Sequence, residues 1–188
     1  MISSSVEKIK NLVVDKKAPF VISIDGPCAG GKSTLASKLQ EELFCNVVHM
    51  DDFYLPFDKR DKNWMNIVAG HMDFDQVINT ILQPYKEEGE VCYIPYDCHS
   101  DKFMQQVDID INEILILEGS YSSHPSLEKF VDLKIFVDID EDLQLERLKK
   151  RNPNTYDKFL SMWVPFENNY FKELDIKNKS DLVLSVSN

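Results

Sequence analysis

The chain has 188 residues, of which 43% are hydrophobic, and this suits one domain with a buried core. Its 32 acidic residues outnumber its 21 basic residues and give a net charge of -11, which argues against a nucleic-acid-binding surface. No apolar run approaches membrane-spanning length, the polar start is no signal peptide, and the four cysteines lack C-x-x-C pairing, so we expect a cytoplasmic protein with reduced thiols.

Hydrophobic periodicity predicts helices and strands that alternate along the chain. The predicted helices cover residues 6–14, 32–44, 73–89, 141–151 and a long stretch from 156 that Pro165 should kink or divide. The predicted strands cover residues 21–25, 46–50, 91–94, 114–117, 133–137 and 182–184. The run 114–117 is apolar without alternation, which is typical of a central parallel strand covered on both faces. This order predicts an α/β fold: a parallel sheet of about five strands with helices on both faces.

A glycine-rich stretch between the first predicted strand and the second helix fits the phosphate-loop pattern G-x-x-x-x-G-K-[ST]. Glycines let the backbone curl so that its N–H groups face phosphate oxygens, and the helix N-terminus adds positive potential. Lys32 can reach the outer phosphates, and the Ser33 hydroxyl can ligate Mg²⁺. The alternative is a flexible surface turn with a solvated lysine, but the flanking strand and helix favour nucleotide binding. We therefore predict a site for ATP and Mg²⁺ formed by Gly26, Pro27, Cys28, Ala29, Gly30, Gly31, Lys32, Ser33 and Thr34.

This motif and the alternating elements together predict a P-loop NTPase fold, with residues 1–188 as a single domain. Residues 53–72 mix aromatic and charged side chains without a clear period, and we interpret them as an excursion on the substrate side. Residues 95–113 are interpreted in the same way.

Cys28 lies at the tip of the predicted phosphate loop. A helix N-terminus and a nearby lysine both lower thiol pKa values. Our hypothesis is therefore that Cys28 is the most readily oxidised of the four cysteines.

Polar and acidic side chains follow several predicted strands, where ligands bind in open α/β sheets. Asp51 and Asp52 come directly after strand 46–50, and Glu118 follows strand 114–117. A carboxylate beside a triphosphate can hold Mg²⁺ through water or take the proton of an attacking hydroxyl. Capping of the next element is the alternative for the aspartate pair, but its position favours function. We expect Asp51, with no intervening turn, to be the base, and Asp52 to point to the other side of an extended chain.

Other candidate residues keep two interpretations each. Asp73 is a substrate-binding candidate, yet with Gln76 it nearly forms a capping box. His99 is either a surface histidine or an acceptor contact beside the strand predicted at 91–94. Arg147 and Arg151 lie four apart on one helical face, which is either solvated or positioned over the phosphates for catalysis.

From about Phe20 to Leu184 the sequence resembles the uridine kinase and phosphoribulokinase branch of the P-loop kinases. The resemblance is carried by the phosphate loop and by Asp51-Asp52-Phe53-Tyr54, Asp73-Phe74-Asp75, Pro95-Tyr96-Asp97 with His99, Glu118-Gly119, Phe136-Val137-Asp138 and Pro165-Phe166-Glu167. It implies ATP and Mg²⁺ as cofactors, Asp51 as general base, and Glu118 at the metal or the substrate. It also implies that Tyr54, Asp73, Tyr96 and His99 lie around the nucleoside, and that Arg147 and Arg151 lie in or near a short lid, residues 147–157. From the residues themselves we add Asp52 to the acceptor candidates. The metal candidates are Ser33, Asp51 and Glu118, and the catalytic candidates are Asp51, Lys32, Arg147 and Arg151.

The leading interpretation is a small-molecule kinase that moves the γ-phosphate of ATP to a hydroxyl of uridine, cytidine or a similar compound. The lid stretch after Arg151 lacks the extra arginines of uridine kinases, and the segment before Asp73 is compressed, so the acceptor stays open. Pantothenate, nicotinamide riboside and a sugar are alternatives within kinases. A nucleotide-dependent switch that binds ATP or GTP is the alternative of another class. We expect a small-molecule partner and neither nucleic acid nor membrane; a homo-oligomer is among the states that the sequence allows.

Overall fold

The computed structural model describes residues 2–110 and 113–187. Its helices are α1 (Ile2–Val13), α2 (Lys32–Leu43), α3 (74–86), α4 (Glu141–Arg151) and α5 (156–173). Its strands are β1 (Phe20–Asp25), β2 (Asn46–His49), β3 (Val91–Tyr93), β4 (Tyr96–Asp97), β5 (Lys102–Phe103), β6 (Val107–Ile109), β7 (Ile114–Glu118), β8 (Leu133–Ile139) and β9 (Leu182–Val186). Within the described ranges, no helix has both the length and the apolar character needed to cross a membrane.

Five parallel strands form the central sheet in the order β2-β7-β1-β8-β9. Strand β1 lies at its centre, with Ile22 opposite Ile116 of β7 and Leu133 of β8. Alternate side chains of β1 enter two cores: Ile22 packs with residues of α1 and α2, and Val21 packs with residues of α3 and α5. The predicted parallel sheet with helices on both faces is therefore confirmed.

The strand predicted at 91–94 does not join this sheet. Strand β3 pairs antiparallel with β6, and β4 pairs antiparallel with β5, so the chain from 91 to 109 forms two small ribbons. Our expectation that Tyr96 and His99 follow a strand of the main sheet was wrong. A short alternating run indicates an extended backbone, but it does not identify the partner strand.

The strand predicted at 46–50 ends at His49, and Met50–Asp52 forms a 3₁₀ turn closed by the Phe53 N–H, which donates to the Met50 carbonyl at 3.0 Å. The expectation that Asp51 and Asp52 continue an extended strand was wrong. Met50 and Phe53 are both fully buried in the same core. Because side chains three residues apart point the same way in a helical turn, and not in a strand, this shared burial favours the turn.

Helices α3 and α5 each contain an internal proline, Pro84 and Pro165. In both helices a wide π-type turn lies directly before the segment that holds the proline, at Val77–Leu82 and at Phe159–Trp163. Proline lacks an N–H and its ring clashes with the carbonyl one turn earlier, and the wide turn relieves both problems. The disturbance predicted at Pro165 therefore takes the form of a π turn within a continuous helix.

Gly119, just after β7, positions the aspartate turn against the sheet. Its φ is +132°, and a Cβ built there would lie 2.9 Å from the Cβ of Met50. We predict that Gly119→Ala lowers the free energy of unfolding by roughly 1–3 kcal/mol, through backbone strain and this clash. Urea denaturation measures the change.

Gly89 provides the matched control, because a Cβ there would lie 3.6 Å from its nearest neighbour, the Pro84 carbonyl oxygen. Gly89→Ala should change the free energy of unfolding by less than about 0.5 kcal/mol. Equal stability of the two variants would contradict the tight approach at Gly119.

Candidate active site

The phosphate loop runs from the end of β1 to the start of α2. Three of its residues have positive φ: Gly26 at 138°, Ala29 at 59° and Gly31 at 100°. A side chain at Gly26 is excluded, because its Cβ would lie 2.2 Å from the Val137 carbonyl oxygen of β8. The loop curls as its glycine pattern predicts, and residues 28 to 34 line a large cleft.

Lys32 is buried inside the curled loop. Its Nζ donates to the carbonyl oxygens of Gly26 at 2.7 Å and Pro27 at 3.0 Å. Gly26 and Pro27 therefore lie behind the cleft lining and hold the lysine, which itself lines the cleft. The ammonium group is at the centre of the loop, where the phosphates of a nucleotide would bind.

Ser33 and Glu118 meet at the first turn of α2. The Ser33 hydroxyl donates to Oε1 of Glu118 at 3.1 Å, and Glu118 is buried. His49 Nδ1 lies 2.7 Å from Glu118 Oε2 and donates to it, since a carboxylate can only accept. This bond to Glu118 is the main cause that raises the pKa of His49.

A hydroxyl and a carboxylate side by side are oxygen ligands of the kind that Mg²⁺ takes together with substrate phosphates. Among the described residues, no group of three or more acidic, histidine or cysteine side chains could hold a metal ion alone. The donor set at Ser33 and Glu118 therefore fits a Mg²⁺ that shares its ligands with a nucleotide.

Asp51 and Asp52 differ in their surroundings. Asp51 is exposed in the cleft and accepts a hydrogen bond from the Tyr54 hydroxyl at 3.0 Å. Asp52 is half-buried and accepts from the Tyr93 hydroxyl at 2.8 Å. Burial raises the pKa of Asp52, and the Tyr93 bond partly opposes this rise. The two carboxylates thus differ in exposure and in hydrogen-bond partner, and this difference does not come from the alternation of side chains along a strand.

The ribbon β4–β5 forms one rim of the cleft. Tyr96 is buried there and its hydroxyl donates to Asp101. Asp97 accepts from the His99 backbone N–H at 2.9 Å, and the His99 side chain is exposed at the rim. Asp73 lies elsewhere: it caps α3 by accepting from the Gln76 N–H at 2.9 Å and is outside the cleft lining.

An aromatic cluster that the sequence did not predict forms the wall next to Asp51. Tyr54, Tyr121 and Trp163 line the cleft, and the buried His71 packs behind them with ring centroids 4.9 to 5.5 Å away. Burial and the charge of Arg60 lower the pKa of His71 to about 3, so its ring is neutral. The cluster joins three distant segments, of which 53–72 shows no periodicity that could have revealed it.

The predicted lid arginines have different positions. Arg147 lies over the phosphate loop, with Nη1 3.3 Å from the Ala29 carbonyl oxygen and 3.5 Å from that of Gly30. Arg151 is exposed, lines the cleft and donates to the Asn152 side chain at 2.7 Å. Both side chains therefore line the cleft, and Arg147 contacts the phosphate loop.

The hypothesis of a reactive Cys28 was wrong. Burial and the neighbouring Glu167 raise the pKa of the Cys28 thiol to about 12, and the Lys32 charge opposes them only in part. Glu167 belongs to α5, far from the loop in sequence. Burial and this tertiary contact together therefore outweigh the lysine charge, one of the local causes of a low thiol pKa.

Asp25, the last residue of β1, is a buried anchor that the sequence analysis also missed. Its carboxylate accepts from the N–H groups of Gly26 at 2.7 Å, Tyr121 at 3.2 Å and Ser123 at 2.9 Å, and from the Tyr170 hydroxyl at 2.8 Å. Burial raises the pKa of Asp25 to about 6 against these donors. It joins the loop, the turn after β7 and helix α5.

The cleft has a volume of about 1460 Å³. This exceeds the about 300–1,000 Å³ of a typical small-molecule pocket, so the cleft is larger than one small ligand requires. The phosphate loop lies along one part of the cleft, and Asp51 with the aromatic wall lies along another.

Comparisons with known proteins agree with this geometry. The chain is 31% identical to uridine-cytidine kinase B of Dictyostelium discoideum, over 72% of this chain and 59% of that protein. It is 28% identical to the pantothenate kinase of Haemophilus influenzae, over 91% of this chain and 60% of that protein. The chain thus spans less than two thirds of the length of these curated relatives.

A solved structure described as a possible uridine kinase from Bacillus stearothermophilus superposes with a TM-score of 0.74 and 20% identity, over 97% of this chain and 96% of that one. This likeness supports the P-loop kinase fold. The model of the Phosphoribulokinase / Uridine kinase family matches residues 21–157, which is more than half of the chain. The chain therefore belongs to the phosphoribulokinase and uridine kinase family.

Proposed function

We propose that this chain is an ATP-dependent kinase that transfers the γ-phosphate to a hydroxyl group of a nucleoside, with uridine and cytidine as the first candidates. The observation that carries the proposal is the shared cleft: the phosphate loop with Lys32 and the exposed carboxylate of Asp51 line the same space. Phosphoryl transfer requires this arrangement, with the donor phosphate held in place and a base next to the attacking hydroxyl.

On the donor side, the loop N–H groups and Lys32 hold the phosphates, and Arg147 adds a positive charge from above the loop. Ser33 and Glu118 would hold Mg²⁺, which neutralises charge on the phosphate oxygens. The chain carries a net charge of -11, so these local groups must provide the attraction for a polyanion.

On the acceptor side, Asp51 takes the proton of the attacking hydroxyl. The acceptor oxygen forms a bond to the γ-phosphorus, the bond from that phosphorus to the β-γ bridging oxygen breaks, and ADP leaves. The Tyr54 hydroxyl, 3.0 Å from Asp51 Oδ1, orients the carboxylate during this step.

A nucleoside is favoured as the acceptor by the aromatic wall beside Asp51. The rings of Tyr54, Tyr121 and Trp163 line the cleft, with the Tyr54 and Trp163 planes tilted by 42°, and a planar base can stack on the face of one of these rings. Pantothenate is a second candidate, supported by the relative that is aligned over 91% of this chain. A nucleotide-dependent switch would make no use of an exposed carboxylate in the same cleft as the phosphate loop.

The acceptor is tested by coupled ADP release with uridine, cytidine, pantothenate, nicotinamide riboside and fructose, each compared with no acceptor. We predict that uridine or cytidine raises the ADP release rate at least about tenfold, because only a bound acceptor provides the nucleophile. A higher rate with pantothenate would replace the nucleoside assignment. ADP release that no acceptor stimulates would contradict a kinase of this class.

The aspartate pair tests the mechanism. Asp51→Asn keeps the size and a hydrogen bond to Tyr54 but cannot take a proton, so kcat should fall ~10²–10⁴-fold with ATP affinity nearly unchanged. Asp52→Asn, at the carboxylate bound by Tyr93, is the matched control and should lower kcat much less. Steady-state kinetics and ATP titration measure both. A loss of kcat in Asp52→Asn with near-normal Asp51→Asn would reverse the assignment.

A further inference from the structure

Glu167 of helix α5 contacts the phosphate loop directly. It is buried, and each of its carboxylate oxygens has a partner. Oε2 accepts the backbone N–H of Cys28 at 2.8 Å, and Oε1 accepts the Ser120 hydroxyl at 2.7 Å. The proposed transfer reaction assigns no role to this carboxylate, although it lines the cleft next to the loop.

Ser120 extends this contact to Lys32. The Ser120 oxygen lies 2.7 Å from Glu167 Oε1 and 3.1 Å from the Gly26 carbonyl oxygen, and its single proton goes to the shorter, charged contact. Its lone pairs then face the Lys32 ammonium group, 3.4 Å away. Lysine, serine and glutamate thus form a hydrogen-bonded chain from the ammonium group to the buried carboxylate.

A second anchor on the same helix acts on the start of the loop. Tyr170, three residues after Glu167 and on the same helical face, donates to Asp25 at 2.8 Å, and Asp25 accepts the Gly26 N–H at 2.7 Å. Helix α5 therefore holds the loop at Gly26 through Asp25 and at Cys28 through Glu167. The peptide of Cys28 directly precedes Ala29, whose φ is 59°.

We propose that Glu167 is a positioning residue for nucleotide binding: it fixes the Cys28 peptide and, through Ser120, the Lys32 ammonium group, so that the loop is already shaped for phosphates. This inference rests on the proposed nucleotide-dependent function. A preorganised loop binds its ligand more tightly, because the loop loses little conformational entropy when the ligand binds. Loss of the two hydrogen bonds should therefore weaken binding of the nucleotide and leave binding of the acceptor largely unchanged.

The test compares Glu167→Met with Glu167→Gln. Methionine fills a similar volume without polar atoms, and we expect the Kd for ATP, measured calorimetrically with Mg²⁺ and without acceptor, to rise about tenfold or more. Glutamine keeps both links: its oxygen accepts the Cys28 N–H, and its amide donates to Ser120, whose proton turns to the Gly26 carbonyl. We expect its Kd to stay within about threefold of the parent value.

Asn168→Ala is the matched control, because Asn168 is the next residue of α5 and is exposed. It should leave the Kd for ATP and the acceptor KM unchanged. Ser120→Ala removes only one of the two partners of Glu167, so we expect a rise of about threefold in the Kd for ATP. If Glu167→Met lacks a cooperative thermal transition, the Kd for ATP of Ser120→Ala tests the role of Glu167 instead.

The outcomes separate this inference from the proposed function. A parent chain that binds no ATP contradicts the function itself. A parent that binds ATP, with a folded Glu167→Met that binds it equally well, overturns the role of Glu167 alone. Glu167→Gln as weak as Glu167→Met would also overturn it, because the charge and not the hydrogen-bond geometry would then matter. If Glu167→Met is unfolded, an unchanged Kd for ATP in Ser120→Ala would also overturn the role of Glu167.

Discussion

The buried carboxylate of Asp25 is the contact on which the arrangement of the site depends. A fully buried carboxylate needs hydrogen-bond donors from the protein, and Asp25 accepts hydrogen bonds from four donors in three segments. One of these donors, Tyr170, is 145 residues away in sequence. The cost of burial, visible in the raised pKa of Asp25, is thus offset only when the loop, the turn after β7 and helix α5 are assembled. The phosphate loop and the helix that positions it therefore depend on one another.

The sequence predicted the features that local patterns encode. The glycine spacing from Gly26 to Gly31 gave the curled loop, and the unbroken apolar run 114–117 gave a central strand, because each depends on neighbouring residues alone. The ribbon β3–β6 and the turn at Met50–Asp52 were not predicted, because strand partners and shared burial are properties of the tertiary fold. The prediction of a low pKa for the Cys28 thiol failed for the same reason. Burial and Glu167, which is 139 residues away in sequence, raise this pKa, and both come from the tertiary fold.

The cleft is lined by two kinds of surface, a polar one at the phosphate loop and an aromatic one near Asp51. Around the phosphate loop, backbone N–H groups and a few cations provide local attraction within a strongly acidic chain. Around Asp51, aromatic rings provide an apolar wall and a single exposed carboxylate provides the proton acceptor. Helix α5 belongs to both regions, because Trp163 lines the acceptor side and Glu167 contacts the loop. Changes at Trp163 should therefore affect the acceptor, and changes at Glu167 should affect the nucleotide.

In the proposed reaction, the donor phosphate and the acceptor hydroxyl react directly within one cleft. The most direct measurement is the transfer of an isotope label from the γ-phosphate of ATP to uridine or cytidine, with the products identified by mass spectrometry. We predict labelled nucleoside monophosphate in equal amount to ADP from the parent chain, and almost none from Lys32→Met, which lacks the ammonium group at the centre of the loop. Label found only in inorganic phosphate, or transfer by Lys32→Met at the parent rate, would contradict it.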